Sequence, residues 1–325
     1  MLQRRHFLTM LAGTVFPAVI ARSQTKKPLV AILEGTSEAS AYAYLEPFTA
    51  TLRERGLIEG ETIELLRRFA DGDAGRYRAI AEELVNRNPA VIVTGSTTAT
   101  LACKRLTATI PIISANLTDP VGLGLVASIA RPGGNVTGMV ISMAGQPGKL
   151  LQILRDIVPG ITRVGLLVQP SERASARQRE VAEGFVQGLG MQLITADFGS
   201  GSELANAFEK LARDDVQGLY VPSSLIIRTE RKRFAELALA ARLPSVCNAR
   251  EIVEAGGLIS YGASLRENYR RAALYVHRVL AGAKPADLPV ENPTKFVLTI
   301  NRRTERALGV TIPPPLLAFA DEVID

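Results

Sequence analysis

The chain has 325 residues, a formal charge of +6, two histidines, two cysteines and no tryptophan, with 47% hydrophobic and 5% aromatic composition. That length suits two domains with aliphatic cores. Histidine-based triads and multi-histidine metal sites are nearly excluded by so few imidazoles, and without basic runs interleaved with aromatics no nucleic-acid binding is expected.

Residues 1–23 have the layout of an export signal. Arg4 and Arg5 precede an uncharged apolar run from Phe7 to Ile20, too short for a membrane span of about 20 residues, and Ala21-Arg22-Ser23 forms a small-x-small cleavage site. The mature chain is expected to begin near Gln24, in the periplasm, and the order Arg-Arg-x-Phe-Leu resembles a twin-arginine signal. Removal of this leader takes three arginines and no acid, so the charge falls from +6 to +3, and His277 is the one histidine left. Cys103 and Cys247 read as two small buried thiols in separate units.

From Lys27 short apolar strands alternate with amphipathic helices. Strands are expected at Pro28–Leu33, Thr62–Phe69, Ala90–Thr94 and Pro111–Ser114, with helical faces carried by Tyr42, Leu45, Phe48 and Leu52, by Tyr77, Ile80, Ala81, Leu84 and Val85, and by Thr97–Leu106. Four strand–helix units in a row imply a doubly wound parallel sheet with right-handed crossovers. Val136–Val140 reads as the first crossing to a second lobe, where the alternation restarts: strands at Val164–Val168, Gln192–Ala196, Gly218–Val221, Ser245–Val246 and Gly257–Tyr261, and helices at Gly148–Ile157, Ala174–Leu189, Glu203–Leu211 and Arg231–Ala241. A further helix carries Tyr269, Ala273, Val276 and Leu280, and Lys295–Ile300 alternates as a last strand. The expected architecture is α/β, with two doubly wound parallel-sheet lobes joined by a multi-strand hinge: residues 28–138 and 264–290 in the first lobe, 139–263 and 291–325 in the second.

Open parallel sheets bind ligands beyond the carboxyl ends of their strands. In the first lobe the turns there contain Ser96, Thr97 and Thr98 after Gly95, at a helix start suited to holding an anion, and Asn116 and Asp119 after the next strand. Gln169, Ser223 and Asn248 hold the matching positions in the second lobe, and Tyr42, Tyr44 and Tyr261 stand near strand exits where they would stack on a ligand or pack in the core. The candidate ligand-binding set is therefore Ser96, Thr97, Thr98, Asn116, Asp119, Gln169, Ser223, Tyr42 and Tyr261. No catalytic residue, metal ligand or cofactor motif accompanies it. Ser171, Ser223 and Ser224 have no histidine to activate them, the pairs Glu82/Glu83 and Asp214/Asp215 lie on solvated helix surface, and the glycines at 122–124 and 133–134 match no phosphate-binding fingerprint.

The run Asp119-Pro120-Val121-Gly122 through Ser128-Ile129-Ala130-Arg131-Pro132-Gly133-Gly134-Asn135-Val136-Thr137-Gly138 resembles the signature of a family of ABC-transporter substrate-binding proteins with the periplasmic-binding-protein type I fold. Gly56-Leu57-Ile58-Glu59-Gly60, Gly256-Gly257-Leu258-Ile259-Ser260-Tyr261-Gly262, Lys284-Pro285-Ala286-Asp287-Leu288-Pro289-Val290, and Pro293-Thr294-Lys295-Phe296 with Leu308-Gly309-Val310-Thr311-Ile312-Pro313 extend the likeness over residues 28–325. Some members resemble receptors for aromatic amino acids, and by that likeness Thr97 and Thr98 hold a carboxylate and Asp119 an ammonium group. The chain departs from the usual pattern in its Gly95-Ser96-Thr97-Thr98 turn, where many relatives have a Gly-Thr-Pro-like turn, and in Met139-Val140-Ile141-Ser142-Met143, where many are Phe-rich. The resemblance implies a monomeric periplasmic receptor, without cofactor, that closes on an amino acid or other small carboxylate and delivers it to an ABC permease in the inner membrane. An extracellular ligand-sensing module, or an exported enzyme on the same scaffold, would share the architecture.

Overall fold

The computed structural model describes residues 27–325 apart from 74, 142–144, 171–172, 223 and 294–295, and apart from the side chains of 173–177. The first half runs β1 (Leu29–Glu34), α1 (Glu38–Glu54), β2 (Glu64–Phe69), α2 (Arg76–Asn86), β3 (Val91–Thr94), α3 (Thr97–Leu106), β4 (Ile112–Leu117) and β5 (Val136–Val140). There follow α4 (Gln146–Ile157), β6 (Arg163–Val168), α5 (Arg173–Gly188), β7 (Gln192–Asp197), α6 (Leu204–Arg213), β8 (Gly218–Val221), α7 (Leu225–Thr229), α8 (Arg231–Ala240), β9 (Ser245–Cys247), α9 (Arg250–Glu254) and β10 (Ile259–Ala263). The chain ends with α10 (Leu265–Leu280), β11 (Phe296–Asn301), α11 (Arg302–Leu308), α12 (Pro314–Ala318) and β12 (Glu322–Ile324).

One sheet has the order β2-β1-β3-β4-β5, all parallel, and the other β12-β11-β10-β9-β8-β6-β7. Within the second, β7-β6-β8-β9-β10 repeats the order of the first sheet strand for strand, and β11 is added antiparallel to β10. Period-two alternation builds the first core: Val30 and Ile32 of β1 face one side with Phe48 and Leu52 of α1 and Tyr269 and Val276 of α10, while Ala31 and Leu33 face Tyr77 and Leu84 of α2 and Cys103 of α3. Each large side chain so buried contributes roughly 2–3 kcal/mol of hydrophobic free energy. The second sheet is clad by α4 and α5 on one face and by α6 to α9 on the other.

Val136–Val140, expected as the first crossing, instead pairs with β4 as the edge strand of the first sheet. The crossings lie between Val140 and Gln146, between Ala263 and Leu265, and between Glu291 and Phe296. Backbone bonds of 2.8 Å from Val140 N–H to Glu291 O and 2.9 Å from Glu291 N–H to Gly138 O lay the last of these along β5. Among the described residues no helix is long and apolar enough to cross a membrane.

Candidate functional site

The carboxyl ends of the two sheets face each other, and the lobes touch in the middle. Leu225 of α7 packs so closely on Gly35 that an added Cβ there would stand 2.7 Å from its Cδ1. The Arg228 guanidinium lies over the Tyr44 ring, 5.8 Å from its centroid, and Arg231 Nη1 donates to Ser40 Oγ at 3.2 Å.

Glu34, the last residue of β1, is buried at this junction and its carboxyl covers Gly95. A Cβ at position 95 would lie 2.1 Å from Glu34 Oε2, so glycine there is a packing requirement of the neighbouring strand. Burial raises the Glu34 carboxyl from its ordinary 4.5 to about 7, against the opposing effects of the Tyr269 hydroxyl, which donates to it at 2.5 Å, and the charge of Arg228.

Two cavities flank the junction and meet at Asn248. The larger, of about 420 Å³, is lined by Tyr44 and Ile141 from the first lobe side and by Arg228, Asn248, Glu251 and Ser260 from the second. The other, of about 380 Å³, has Asp119, Ile129 and Val140 on one wall and Leu150, Gln178, Val181, Tyr220 and Asn248 on the other. Both fall within the range of about 300–1,000 Å³ usual for ligand clefts. Three buried polar atoms in their walls have no partner among the described residues: Asn248 Oδ1, Ser260 Oγ and Gln178 Oε1. The Tyr220 side chain is buried, makes no hydrogen bond among the described residues, and its hydroxyl is pushed far above the usual phenol range by desolvation.

The residues nominated from sequence divide three ways. Asp119 lines the 380 Å³ cavity, in a left-handed turn (φ 43°) where its Oδ1 also accepts Gly122 N–H at 3.1 Å. Gln169 is buried beside a separate cavity of about 450 Å³ between the ends of β2 and β7. The others are engaged in the scaffold or stand apart from these cavities. Ser96 caps α3, accepting Ala99 N–H at 3.1 Å, and Thr97 Oγ1 accepts Thr118 N–H at 2.9 Å and leans on Asn116 O, which fastens the β3 turn to the β4 exit. Thr98 is half-buried in the first turn of α3, and Asn116 is buried. Tyr42 is 70% exposed, and Tyr261 stacks on Phe296 at 5.3 Å, packed against the second-lobe core. Ser223 lies outside the described residues.

Arg228, Glu251, Ser260, Gln178 and Tyr220 escaped the sequence reading. Arg228 had one signal, a lone cation closing the apolar run Leu225-Ile226-Ile227 directly after a strand exit. The described residues hold no cluster of three or more histidine, cysteine or acidic side chains fit for a metal.

The family model for ABC transporter substrate binding proteins matches residues 29–324. This chain belongs to that family. Its relatives include a tyrosine-binding protein of Clostridioides difficile (strain R20291), 26% identical over 263 residues that make up 81% of this chain and 75% of the relative. Among solved structures, a conserved domain protein from Vibrio cholerae superposes with a TM-score of 0.86 at 26% identity, over 92% of this chain and 100% of that one. The ABC domain from Streptococcus pneumonia in complex with L-Trp gives 0.85 at 25% identity, with the same coverage of both chains. Family membership makes the protein a solute-binding protein of periplasmic-binding-protein type I architecture, as its sequence motifs implied.

Proposed function

We propose that this protein is a receptor that closes its two lobes on an amino acid with an apolar or aromatic side chain and delivers it to an ABC importer. The 380 Å³ cavity carries the reading, because Asn248 Oδ1 and Gln178 Oε1, which have no partner among the described residues, line it together with Asp119 and with the apolar side chains of Ile129, Val140, Leu150 and Val181 from both lobes. In it the Asp119 carboxylate and the amide oxygens of Asn248 and Gln178 receive the ammonium group, and Tyr220 Oη–H donates to the carboxylate. Ile129, Val140, Leu150 and Val181 take the side chain. The names of the tyrosine-binding relative and of the L-Trp complex point to the same ligand class. Contacts from both lobes make ligand affinity a bias toward the closed state, the form a permease would recognise.

Calorimetry of the mature protein against the L-amino acids tests this. Saturable binding without consumption of the ligand is expected, and Asp119→Asn should weaken it by about 10- to 150-fold, the worth of a hydrogen bond to a charged group. Asparagine tolerates the left-handed turn, so the variant should melt near the wild type. Turnover of the ligand, or undiminished affinity in Asp119→Asn, would overturn the proposal. The same reading places the protein in the periplasm after removal of residues 1–23, so N-terminal sequencing of the exported form should begin near Gln24; a start at Met1 would refute that part.

A further inference from the structure

On the far side of Asn248 the 420 Å³ cavity holds two opposite charges that do not meet. Arg228 is 8% exposed and makes no side-chain hydrogen bond or ion pair among the described residues. Its flat face is taken by Tyr44, which leaves the N–H edges of the guanidinium unspent. The other cations in the lining are engaged: Arg250 pairs with Glu254 and Glu322, and Arg266 bonds Ala43 O and Glu46. Glu34 does not satisfy Arg228 either, because its carboxyl is turned to Tyr269 and Gly95. Glu251 lines the same cavity, close enough for its charge to act on Arg228, yet its side chain too forms no hydrogen bond or ion pair among the described residues. The same cavity is lined by Ser260 and Asn248, whose Oγ and Oδ1 belong to side chains more than nine-tenths buried and have no partner among the described residues.

A guanidinium taken out of water loses several kcal/mol of solvation unless a counter-charge and hydrogen bonds replace it. Direct contact between Arg228 and Glu251 would supply both, but the two line one cavity without forming an ion pair, and what joins such a cation and anion is a molecule carrying the reverse pair. We propose that this cavity is a second binding site, for a small zwitterion whose carboxylate lies on the edge of Arg228 and whose ammonium group lies on Glu251, with Ser260 completing its hydrogen bonds. The assignment stands on this cavity alone and not on the role given to Asp119. Since Tyr44 and Arg228 belong to opposite lobes, an occupant here would also add to closure.

Glycine is a suitable probe, because it carries both charges and has no side chain for the apolar cavity. Titrated calorimetrically into the whole mature protein, it should bind the wild type more tightly than acetate or methylammonium. Arg228→Gln and Glu251→Gln should each weaken it at least tenfold. Arg228→Lys keeps the charge but not the flat two-donor edge and should lose part of the affinity, a reading that survives if the glutamine variant folds poorly. No glycine binding to the wild type, unchanged affinity in Arg228→Lys and Glu251→Gln, equal binding of acetate, or a loss confined to Asp119→Asn would each overturn the second site. Failure of tyrosine or tryptophan to bind, with glycine binding intact, would instead count against the function proposed for the 380 Å³ cavity.

Discussion

Replacing Glu34 with glutamine should change how stability depends on pH more than any other single substitution of a charged residue in the cleft. The carboxyl titrates near 4.5 in the unfolded chain and near 7 in the folded one. Between those values the native state keeps a proton that the unfolded state has released, so wild-type stability falls as pH rises from about 4.5 to about 7 and is level above that. The full loss is roughly 3 kcal/mol, at 1.36 kcal/mol for each unit of separation. Glutamine still accepts from Tyr269 but has nothing to ionise. The difference in melting temperature, variant minus wild type, should therefore be several degrees more positive at pH 8 than at pH 4.5. A difference that stays constant across that range would show that Glu34 is hydrated in the folded protein.

The second large effect concerns Gly262 of β10. A Cβ at that position would stand 1.8 Å from Asn248 O and 2.7 Å from Asn248 C, so the obstacle is the backbone of the neighbouring strand exit and not a side chain that can turn away. Gly262→Ala should lower stability by on the order of 3 kcal/mol or more, among the larger values for point substitutions. It should also weaken binding in both cavities, because the residue it displaces, Asn248, forms part of both walls. Gly134→Ala is the matched control, since no heavy atom lies within 4 Å of its added Cβ and it should melt like the wild type. Equal melting temperatures for the two variants would refute the close approach of β10 to the end of β9.

Much of the fold was legible because buried parallel strands are short continuous apolar runs, and Val91–Thr94 or Gly218–Val221 need no tertiary information to be recognised. The helices between them announce themselves by periodicity. What escaped was the short and the relational. α7 and α9 have five residues each, too few for a 3.6-residue period to show, and Arg228 and Glu251 ride on them. The alternation of Lys295–Ile300 marked a strand but carried no sign that it runs antiparallel to β10. In the Gly95 turn the hydroxyls were visible, but their allegiance was not: a serine or threonine at a helix start serves its own backbone as readily as a ligand, and Ser96 and Thr97 are held by Ala99 and Thr118. Nor does a sequence show that Gly95 is small on behalf of Glu34, two strands that become neighbours only once the sheet exists.

The interleaving of the lobes also bears on how the chain is made. Tyr269 of α10 closes the core over Tyr44 and Phe48 and reaches Glu34 across a separation of 235 residues. A ribosome thus releases all five strands of the first sheet, and then β6 to β10 of the second, before the helix that covers α1 exists. Until then α1 shows an apolar stripe of Tyr44, Phe48 and Leu52 to whatever is nearby, and the nascent first lobe is a client for a chaperone rather than a finished domain.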